Sequence, residues 1–470
     1  MHKLFLVFIG FFLLSSGLRS QNSGISGNAI GAEGLKIKLI TSSDYISELP
    51  VKLDETTVDS LGKFKLKTSI NECIYAQIQI DIYKGAIYLE PGKNYSITIN
   101  PLNYKDDDIE SPFLNKKKLE IIFNNPDSIE INQQISKFNS LFEGFLMGNS
   151  NIIFRSRNKA KIDSFQLKMN ILFSISKNQF LTNYIKYSFA DLEQSARIKS
   201  SAKLFESYFM NQPVYYNNVE YMYFFNQFYE KFLTNSKFAL HTNVMKRLIN
   251  ERNYISLLDS MGRDSTVKNE VIRELVFLKG MKDLYYSNAY NNDNIIDILT
   301  SYSRKTKFKE HKLISQNLIV SFNKLKPGNK APDFKLKTVT DEVFTLASFE
   351  GKYTYIGFFT TWCAGCKDEN EAIIDLKKKF GDKINFVSIS ADKQVLNLHY
   401  YLDKHKYDWY FLHYANNTEL LEKYEIHSYP VFILLDQKGN IMKIPALKPS
   451  EDIETEFKIL LEKKDTLLRE

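Results

Sequence analysis

The stretch that decides the fold of the C-terminal third is Tyr353-Thr-Tyr-Ile-Gly-Phe-Phe-Thr-Thr-Trp-Cys-Ala-Gly-Cys366. Its first part is an almost continuous apolar run, which predicts a buried β-strand from Tyr353 to Phe359. The residues from Asp368 to Phe380 then follow a helical pattern. Two closely spaced cysteines therefore fall where a buried strand passes into a helix.

This junction favours reactive thiols. A helix N-terminus presents unpaired N–H groups and about half a unit of positive charge. Such a site stabilises a thiolate and lowers a thiol pKa below its free value of about 8.5, and the thiolate is the species that attacks a disulfide. We expect the outer cysteine, Cys363, to attack and the deeper Cys366 to resolve the mixed disulfide.

Three other kinds of site also contain cysteines in a similar sequence context: zinc sites, haem-attachment sites and peroxidase sites. A zinc site needs a second Cys or His pair, but only Cys73 remains and the nearby histidines lack knuckle spacing. Haem attachment needs a His directly after the second cysteine, where Lys367 stands. A peroxidase of the peroxiredoxin type would match at Thr360 but not at Ile356, where a Pro is required. We therefore expect no metal and no cofactor.

A proline at the start of a later strand supports redox chemistry. Tyr429-Pro430 immediately precedes the apolar run from Val431 to Leu435. Proline there is either a plain edge feature or part of a cis Tyr429–Pro430 bond packed against the dithiol. We favour the cis bond, and we take Trp362, Tyr429 and Pro430 as candidate substrate-binding residues.

Residues 328–470 resemble the TlpA/ResA-type thioredoxin-like thiol–disulfide oxidoreductases of the bacterial envelope. The matching residues are Gly328-Asn-Lys-Ala-Pro-Asp-Phe334, Phe344-Thr-Leu346, Phe349-Glu-Gly-Lys352, the Trp362–Cys366 motif, Glu369 and Tyr429-Pro430. The resemblance implies a thioredoxin fold and a dithiol–disulfide cycle that reduces disulfide-containing envelope proteins. In some members these are apocytochrome c cysteines before haem attachment. A membrane-linked thiol reductant would recharge the pair.

Glu369 lies one helical turn after Cys366, and members of this family often carry a functional Glu there. It is a candidate catalytic residue that handles protons, with a solvated helix carboxylate as the alternative. Three features depart from the family, and one is Glu371, which stands where relatives often have Pro. The other two concern the redox site. Ala364-Gly365 replaces the commoner x-Pro between the cysteines, and Gly357 stands where thioredoxin has a buried Asp. The reduction potential therefore cannot be carried over.

The N-terminus has the order of a secretory signal peptide. A short polar start is followed by an apolar run from Leu4 to Leu14 and then by small and polar residues up to Ser20. The run is shorter than the ~20 residues of a membrane span. We expect residues 1–20 to be a signal peptide, with a retained anchor as the alternative. The mature protein would act in the periplasm or cell envelope.

Three regions follow. Short alternating strands predict a β-sandwich-like domain over 22–105, similar to the β-rich domain that often precedes thioredoxin-like domains in Bacteroidetes-type envelope proteins. Apolar residues at helical spacing predict a helical domain over 110–325. The aromatic stretch from 215 to 229 is either bundle core or a docking surface. Alternating strands and helices predict an α/β thioredoxin-like domain over 328–470.

The amino-acid composition limits the classes of protein to which this chain can belong. The charged fraction of 25% is that of a soluble protein. The net charge of +7 comes without a long Lys/Arg block, which argues against a nucleic-acid partner. Cys73 is either a buried small apolar residue or a third redox thiol. We expect an exported thiol–disulfide oxidoreductase. The alternative is an envelope binding protein in which the cysteine pair is only a structural disulfide.

Overall fold

The computed structural model describes residues 20–81, 83–100, 118–124, 129–235, 242–287 and 289–467. All of the expected signal peptide except Ser20 lies outside these residues. In the described ranges, no helix combines the length and the apolar character that crossing a membrane requires.

The N-terminal region is a β-sandwich, which confirms the predicted class. Its strands are β1 (Gln21–Ala29), β2 (Lys36–Ser42), β3 (Pro50–Thr57), β4 (Lys63–Ile70), β5 (Ile74–Ile80), β6 (Tyr83–Leu89), β7 (Asn94–Ile99) and β8 (Ile121–Phe123). They form two sheets in the orders β4-β1-β7-β8 and β3-β2-β5-β6. Alternate residues such as Leu66 in one sheet and Leu39 and Ile78 in the other fill a shared core.

Strand β8 lies within the range predicted to be helical, yet it pairs antiparallel with β7. The sandwich thus takes a strand from beyond residue 105. The domain limits 22–105, 110–325 and 328–470 remain predictions.

The central region is helical, as predicted. Its α-helices within the described residues are α1 (Ile131–Ser150), α2 (Lys159–Leu172), α3 (Gln179–Ser195), α4 (Ser201–Tyr208), α5 (Val219–Phe228), α6 (Phe232–Asn235), α7 (Thr242–Asn250), α8 (Tyr254–Met261), α9 (Glu270–Tyr286), α10 (Asn292–Lys305) and α11 (Lys309–Asn323). A π-helical turn, Asn151–Arg155, follows α1, and a 3-10 turn, Ser265–Val267, precedes α9.

Asparagine sets where many of these helices begin. An Asn side chain before the first turn accepts a backbone N–H that would otherwise have no partner. The capping residues are Asn158, Asn178, Asn218, Asn253, Asn269 and Asn291.

The aromatic stretch of the central region is mainly core. Tyr221, Phe224, Phe225 and Tyr229 are buried, which confirms the core interpretation for these four residues. Tyr223 is exposed.

A cleft of about 840 Å³ opens between the sandwich and the helices. Tyr45, Cys73, Phe180 and Tyr216 contribute to its lining. Burial raises the pKa of the half-buried Cys73 thiol, because an apolar environment disfavours the thiolate. Among the described residues that line this cleft, none belongs to the predicted redox site.

The C-terminal region has the predicted thioredoxin-like α/β fold. Its elements are β9 (Lys335–Lys337), β10 (Val343–Thr345), β11 (Tyr353–Phe359), α12 (Ala364–Phe380), β12 (Ile384–Ser390), α13 (Val395–His405), β13 (Tyr410–His413), α14 (Thr418–Lys423), β14 (Val431–Leu435), β15 (Ile441–Lys443) and α15 (Ile453–Leu467). A 3-10 turn, Leu346–Phe349, links β10 to β11.

The seven strands of this sheet run in the order β10-β9-β13-β12-β11-β14-β15. Strand β11 is central, parallel to β12 and antiparallel to β14. Its Tyr355 packs with α12 and α15 on one face, and Ile356 packs with α14 on the other. Because helices cover both faces, the strand is apolar on both sides rather than alternating, with the buried Thr354 as an exception.

The sandwich meets the C-terminal domain at α14. Lys38 lies 3.6 Å from Glu419, and Lys84 lies 3.5 Å from Glu422. These ion pairs are partly exposed, so each contributes little to stability.

Candidate functional site

The cysteine pair lies at the N-terminus of α12, directly after the central strand, as predicted. Cys363 is the N-cap residue, and its Sγ accepts a hydrogen bond from the backbone N–H of Cys366 at 3.2 Å. The two cysteines form a disulfide in this structure. Cys363 is half-buried, whereas only 1% of Cys366 is exposed. Cys363 is therefore the more accessible residue of the pair.

The candidate substrate-binding residues gather beside this pair. The Trp362 ring is 37% exposed and meets the Tyr429 ring edge-on, with the centroids 6.3 Å apart. The Tyr429–Pro430 bond is cis, which confirms that prediction. Val431 pairs with Phe358 near the end of β11, and this register brings Pro430 to the strand end from which the cysteines follow.

Glu369 is buried, so the interpretation of a solvated carboxylate is wrong. Its Oε2 accepts a hydrogen bond from the Ser450 backbone N–H at 2.9 Å, and its Oε1 accepts one from the Ser450 hydroxyl at 2.7 Å. Ser450 lies three residues before α15, which begins at Ile453. A serine before the last helix thus anchors the carboxylate, and proton handling by Glu369 remains a prediction.

The packing explains why no carboxylate occupies position 357. A Cβ added to Gly357 would lie 2.6 Å from Cε1 of the Phe432 ring. That distance is below van der Waals contact, so the neighbouring strand fills the space that a longer side chain would need.

Sequence analysis missed Asp392, a buried carboxylate next to the pair. Its Oδ1 accepts a hydrogen bond from the Thr361 hydroxyl at 2.8 Å, and both carboxylate oxygens lie 3.1 Å from the Thr361 backbone nitrogen. Its Oδ2 accepts a hydrogen bond from the Ser390 hydroxyl at 2.6 Å. Burial raises the pKa of Asp392, although the bonds from Ser390 and Thr361 act against that shift. We call this arrangement of Asp392, Thr361 and Ser390 the carboxylate clamp.

A signal for Asp392 was present in the sequence. It follows the end of β12, which runs parallel to β11. The carboxyl ends of neighbouring parallel strands meet at one edge of a sheet, where sites are commonly built. The clamp fixes the segment that carries Trp362 and Cys363.

His413 supports the clamp from the next strand. The Ala415 backbone N–H donates to its Nδ1 at 3.1 Å, so the proton of the neutral ring is on Nε2. Nε2 in turn donates to the carbonyl oxygen of Asp392 at 2.6 Å. Burial lowers the pKa of His413, which favours this neutral form.

A second polar network lies behind Cys366. The Asn370 amide in α12 donates to the Tyr401 hydroxyl at 3.1 Å. Its amide oxygen accepts a long 3.5 Å hydrogen bond from Ser388, whose own hydroxyl accepts one from Trp409 Nε1 at 3.0 Å. These contacts join α12 to β12 and α13 and hold the helix that carries both cysteines.

The described residues include no cluster of three His, Cys, Asp or Glu side chains arranged to hold a metal ion.

Comparison with known proteins gives matches to the C-terminal region. Residues 351–441 match a protein-family model described as thioredoxin-like. The thioredoxin-like protein YneN of Bacillus subtilis is 33% identical over 135 residues, which cover 27% of this chain and 78% of that protein. The thiol-disulfide oxidoreductase ResA of Oceanobacillus iheyensis is 32% identical over 123 residues, 25% of this chain and 63% of that protein. A crystal structure of a candidate thiol-disulfide oxidoreductase from Bacteroides vulgatus shows 38% identity, covers 28% of this chain and 93% of that one, and has a TM-score of 0.27.

Proposed function

Because the chain belongs to the thioredoxin-like family and is a thiol–disulfide oxidoreductase, we propose that it is exported and reduces disulfides of envelope proteins. One observation carries the redox part of the proposal: Cys363 and Cys366 are bonded to each other at a helix N-terminus, with Cys363 half-buried and Cys366 buried. In this role the pair cycles between a dithiol and a disulfide.

The cycle begins with the reduced pair. The Cys363 thiolate, stabilised by the N–H groups of the first turn of α12, attacks one sulfur of the client disulfide. A bond forms between Cys363 Sγ and that sulfur. The client's other sulfur leaves as a thiolate and takes up a proton.

Resolution follows within the protein. Cys366 loses its proton and attacks Cys363 Sγ, which closes the Cys363–Cys366 bond and releases the client's second thiol. Two electrons have then passed from the pair to the client. A thiol reductant returns two electrons before the next cycle, and we propose a membrane-linked dithiol donor for that step.

The burial of the two sulfurs sets their order of action. A client sulfur can approach Cys363. Cys366 is closed to solvent, so we propose that it reacts only with the Cys363 sulfur. Glu369, anchored by Ser450, is the candidate acceptor for the Cys366 proton. The Trp362 ring and the Tyr429–Pro430 segment flank Cys363 and are the candidate contacts for the client chain.

The proposal is tested by insulin reduction with dithiothreitol as the electron donor. We expect the wild-type protein to accelerate the reaction and Cys363→Ser to abolish the acceleration. Reduced Cys366→Ser, freed of dithiothreitol and then mixed with insulin, should accumulate a mixed disulfide. Equal rates for wild type and Cys363→Ser would instead favour the binding protein with a structural disulfide.

Export is tested separately in cells that synthesise the full chain. We expect the protein outside the cytoplasm, with a new N-terminus near Ser20. Protein confined to the cytoplasm would contradict the envelope part of the proposal while leaving its redox chemistry intact.

A further inference from the structure

One hairpin turn of the β-sandwich is fixed against the C-terminal domain. Ile80 of β5 pairs with Tyr83 of β6, so Asp81 begins a two-residue turn. Its φ of 52° lies in the left-handed region, as hairpin turns of this length require. Beside the turn, Nε2 of the buried Gln79 donates to the Asp81 carbonyl oxygen at 2.9 Å and to Oε1 of Glu422 in α14 at 3.5 Å. The turn and α14 are therefore held together.

Helix α14 connects this turn to the redox site. Its Glu422 also lies 3.5 Å from Lys84, which is on the same hairpin as Asp81. Tyr424, which directly follows α14, packs against Phe358 of β11 with the ring centroids 5.3 Å apart. Phe358 is at the end of β11 from which the cysteine motif follows. A short series of contacts thus joins the sandwich to the strand that carries the redox pair.

The charge of Asp81 acts at the same edge of the sheet. Burial raises the pKa of Asp81, and the positive charge of Lys393 opposes that rise. Burial, followed by the negative charges of Asp81 and Asp392, raises the pKa of Tyr414. Lys393 directly follows Asp392, and Tyr414 directly follows β13, which is parallel to β12. Since such effects weaken with distance, the turn lies close to the loop that carries the carboxylate clamp.

We infer that Asp81 is a positioning residue of the redox pair, through which the β-sandwich holds the loop that carries the carboxylate clamp. The attraction of Asp81 for Lys393 restrains the residue next to Asp392. The clamp in turn holds the backbone N–H of Thr361, two residues before Cys363. The inference rests on the redox part of the proposed function, since it gives Asp81 a role in the same dithiol–disulfide cycle.

The role of Asp81 can be tested with a matched control. Asp81→Asn removes the charge, and Asn tolerates the left-handed backbone of the turn. Asp341 also has a positive φ, 64°, and lies 2.8 Å from Lys337 in the C-terminal domain. Asp341→Asn thus removes the same charge beside a lysine in another turn. Lys393→Gln, alone and combined with Asp81→Asn, tests whether Asp81 acts through Lys393.

Two properties are measured for each protein: the pH dependence of iodoacetamide alkylation of Cys363 in the reduced protein, and insulin reduction with dithiothreitol. We expect Asp81→Asn to raise the alkylation midpoint by about half a pH unit, toward the free thiol value of about 8.5. A loosened segment holds the sulfur less well against the N–H groups of α12. The kcat for insulin should fall about three- to tenfold.

The other variants complete the expected pattern. Asp341→Asn should match wild type in both measurements. Lys393→Gln should raise the alkylation midpoint at least as much as Asp81→Asn does, and adding Asp81→Asn to it should change nothing further. Lys393→Gln also tests the contact from the other side if Asp81→Asn does not fold.

Other results overturn the inference. An unchanged midpoint in Asp81→Asn means that the turn does not position the redox pair. A lower midpoint means that the Asp81 charge acts on the sulfur directly, and additive effects of the two substitutions mean that Asp81 does not act through Lys393. An equal shift in Asp341→Asn means that any lost charge has this effect. If wild type does not reduce insulin, the proposed function fails, and the alkylation profiles still decide whether Asp81 positions Cys363.

Discussion

The carboxylate clamp predicts a large effect from one buried side chain. Asp392→Ala removes the acceptor for the Thr361 backbone N–H, the Thr361 hydroxyl and the Ser390 hydroxyl. The two hydroxyls can rotate toward other partners, but the buried N–H cannot. Each buried donor left without a partner costs about 1–3 kcal/mol. With this one donor left without a partner, we expect the free energy of unfolding of the C-terminal domain to fall by about 1–3 kcal/mol.

The chain offers a selective probe for this domain. Its two tryptophans, Trp362 and Trp409, both lie in the C-terminal region. Tryptophan fluorescence during urea unfolding therefore follows this domain without interference from the other regions. A loss of this size corresponds to a midpoint shift on the order of 0.5–1.5 M urea.

A matched control comes from the neighbouring helix. Asp375 is exposed and lies 3.2 Å from Lys378, and exposed pairs of this kind contribute little. We expect the unfolding midpoint of Asp375→Ala to stay within about 0.3 M of wild type. If Asp392→Ala unfolds at the same urea concentration as Asp375→Ala, the clamp does not hold the segment before Cys363.

Three further predictions follow from other contacts. Gly357→Ala should lower the free energy of unfolding by about 1–3 kcal/mol, since its Cβ meets the Phe432 ring; an unchanged urea midpoint would contradict this packing. Glu369→Gln should slow closure of the Cys363–Cys366 bond on the order of 10²-fold in stopped-flow measurements. An unchanged rate would mean that Glu369 does not accept the Cys366 proton and only holds Ser450 in place. Burial raises the pKa of Asp392, so the folded protein holds the carboxyl proton more tightly than the unfolded chain does. The protonated Asp392 side chain therefore stabilises the fold most at low pH. This contribution falls as the pH rises through the pKa of the folded state. The stability difference between wild type and Asp392→Asn should therefore be larger at pH 4 than at pH 7, and a pH-independent difference in urea unfolding would refute the shift.

Local patterns in the sequence sufficed to predict much of the secondary structure of the C-terminal domain. The apolar run and the cysteine spacing located β11 and the start of α12. These features depend on residues that are close together in the chain, so they leave a local signal.

Features that depend on distant residues were missed. Asp392 reaches Thr361, and Ser450 reaches Glu369, across long stretches of chain. Strand β8 joins a sheet whose other strands precede it by many residues. Which residues meet in such a contact depends on how the elements pack together. The spacing of residues within one segment does not predict that packing.

The central claim is that Cys363 is the attacking sulfur of a redox pair. The most direct measurement is the rate of iodoacetamide alkylation of each cysteine in the reduced, folded protein at pH 7, resolved by mass spectrometry of the peptides. We predict that Cys363 reacts several-fold faster than a free cysteine, while buried Cys366 stays unmodified until urea unfolds the chain. The half-buried Cys73 should react more slowly than Cys363, because burial raises the pKa of its thiol. Equal rates at the three positions, or faster modification of Cys366, would contradict the account.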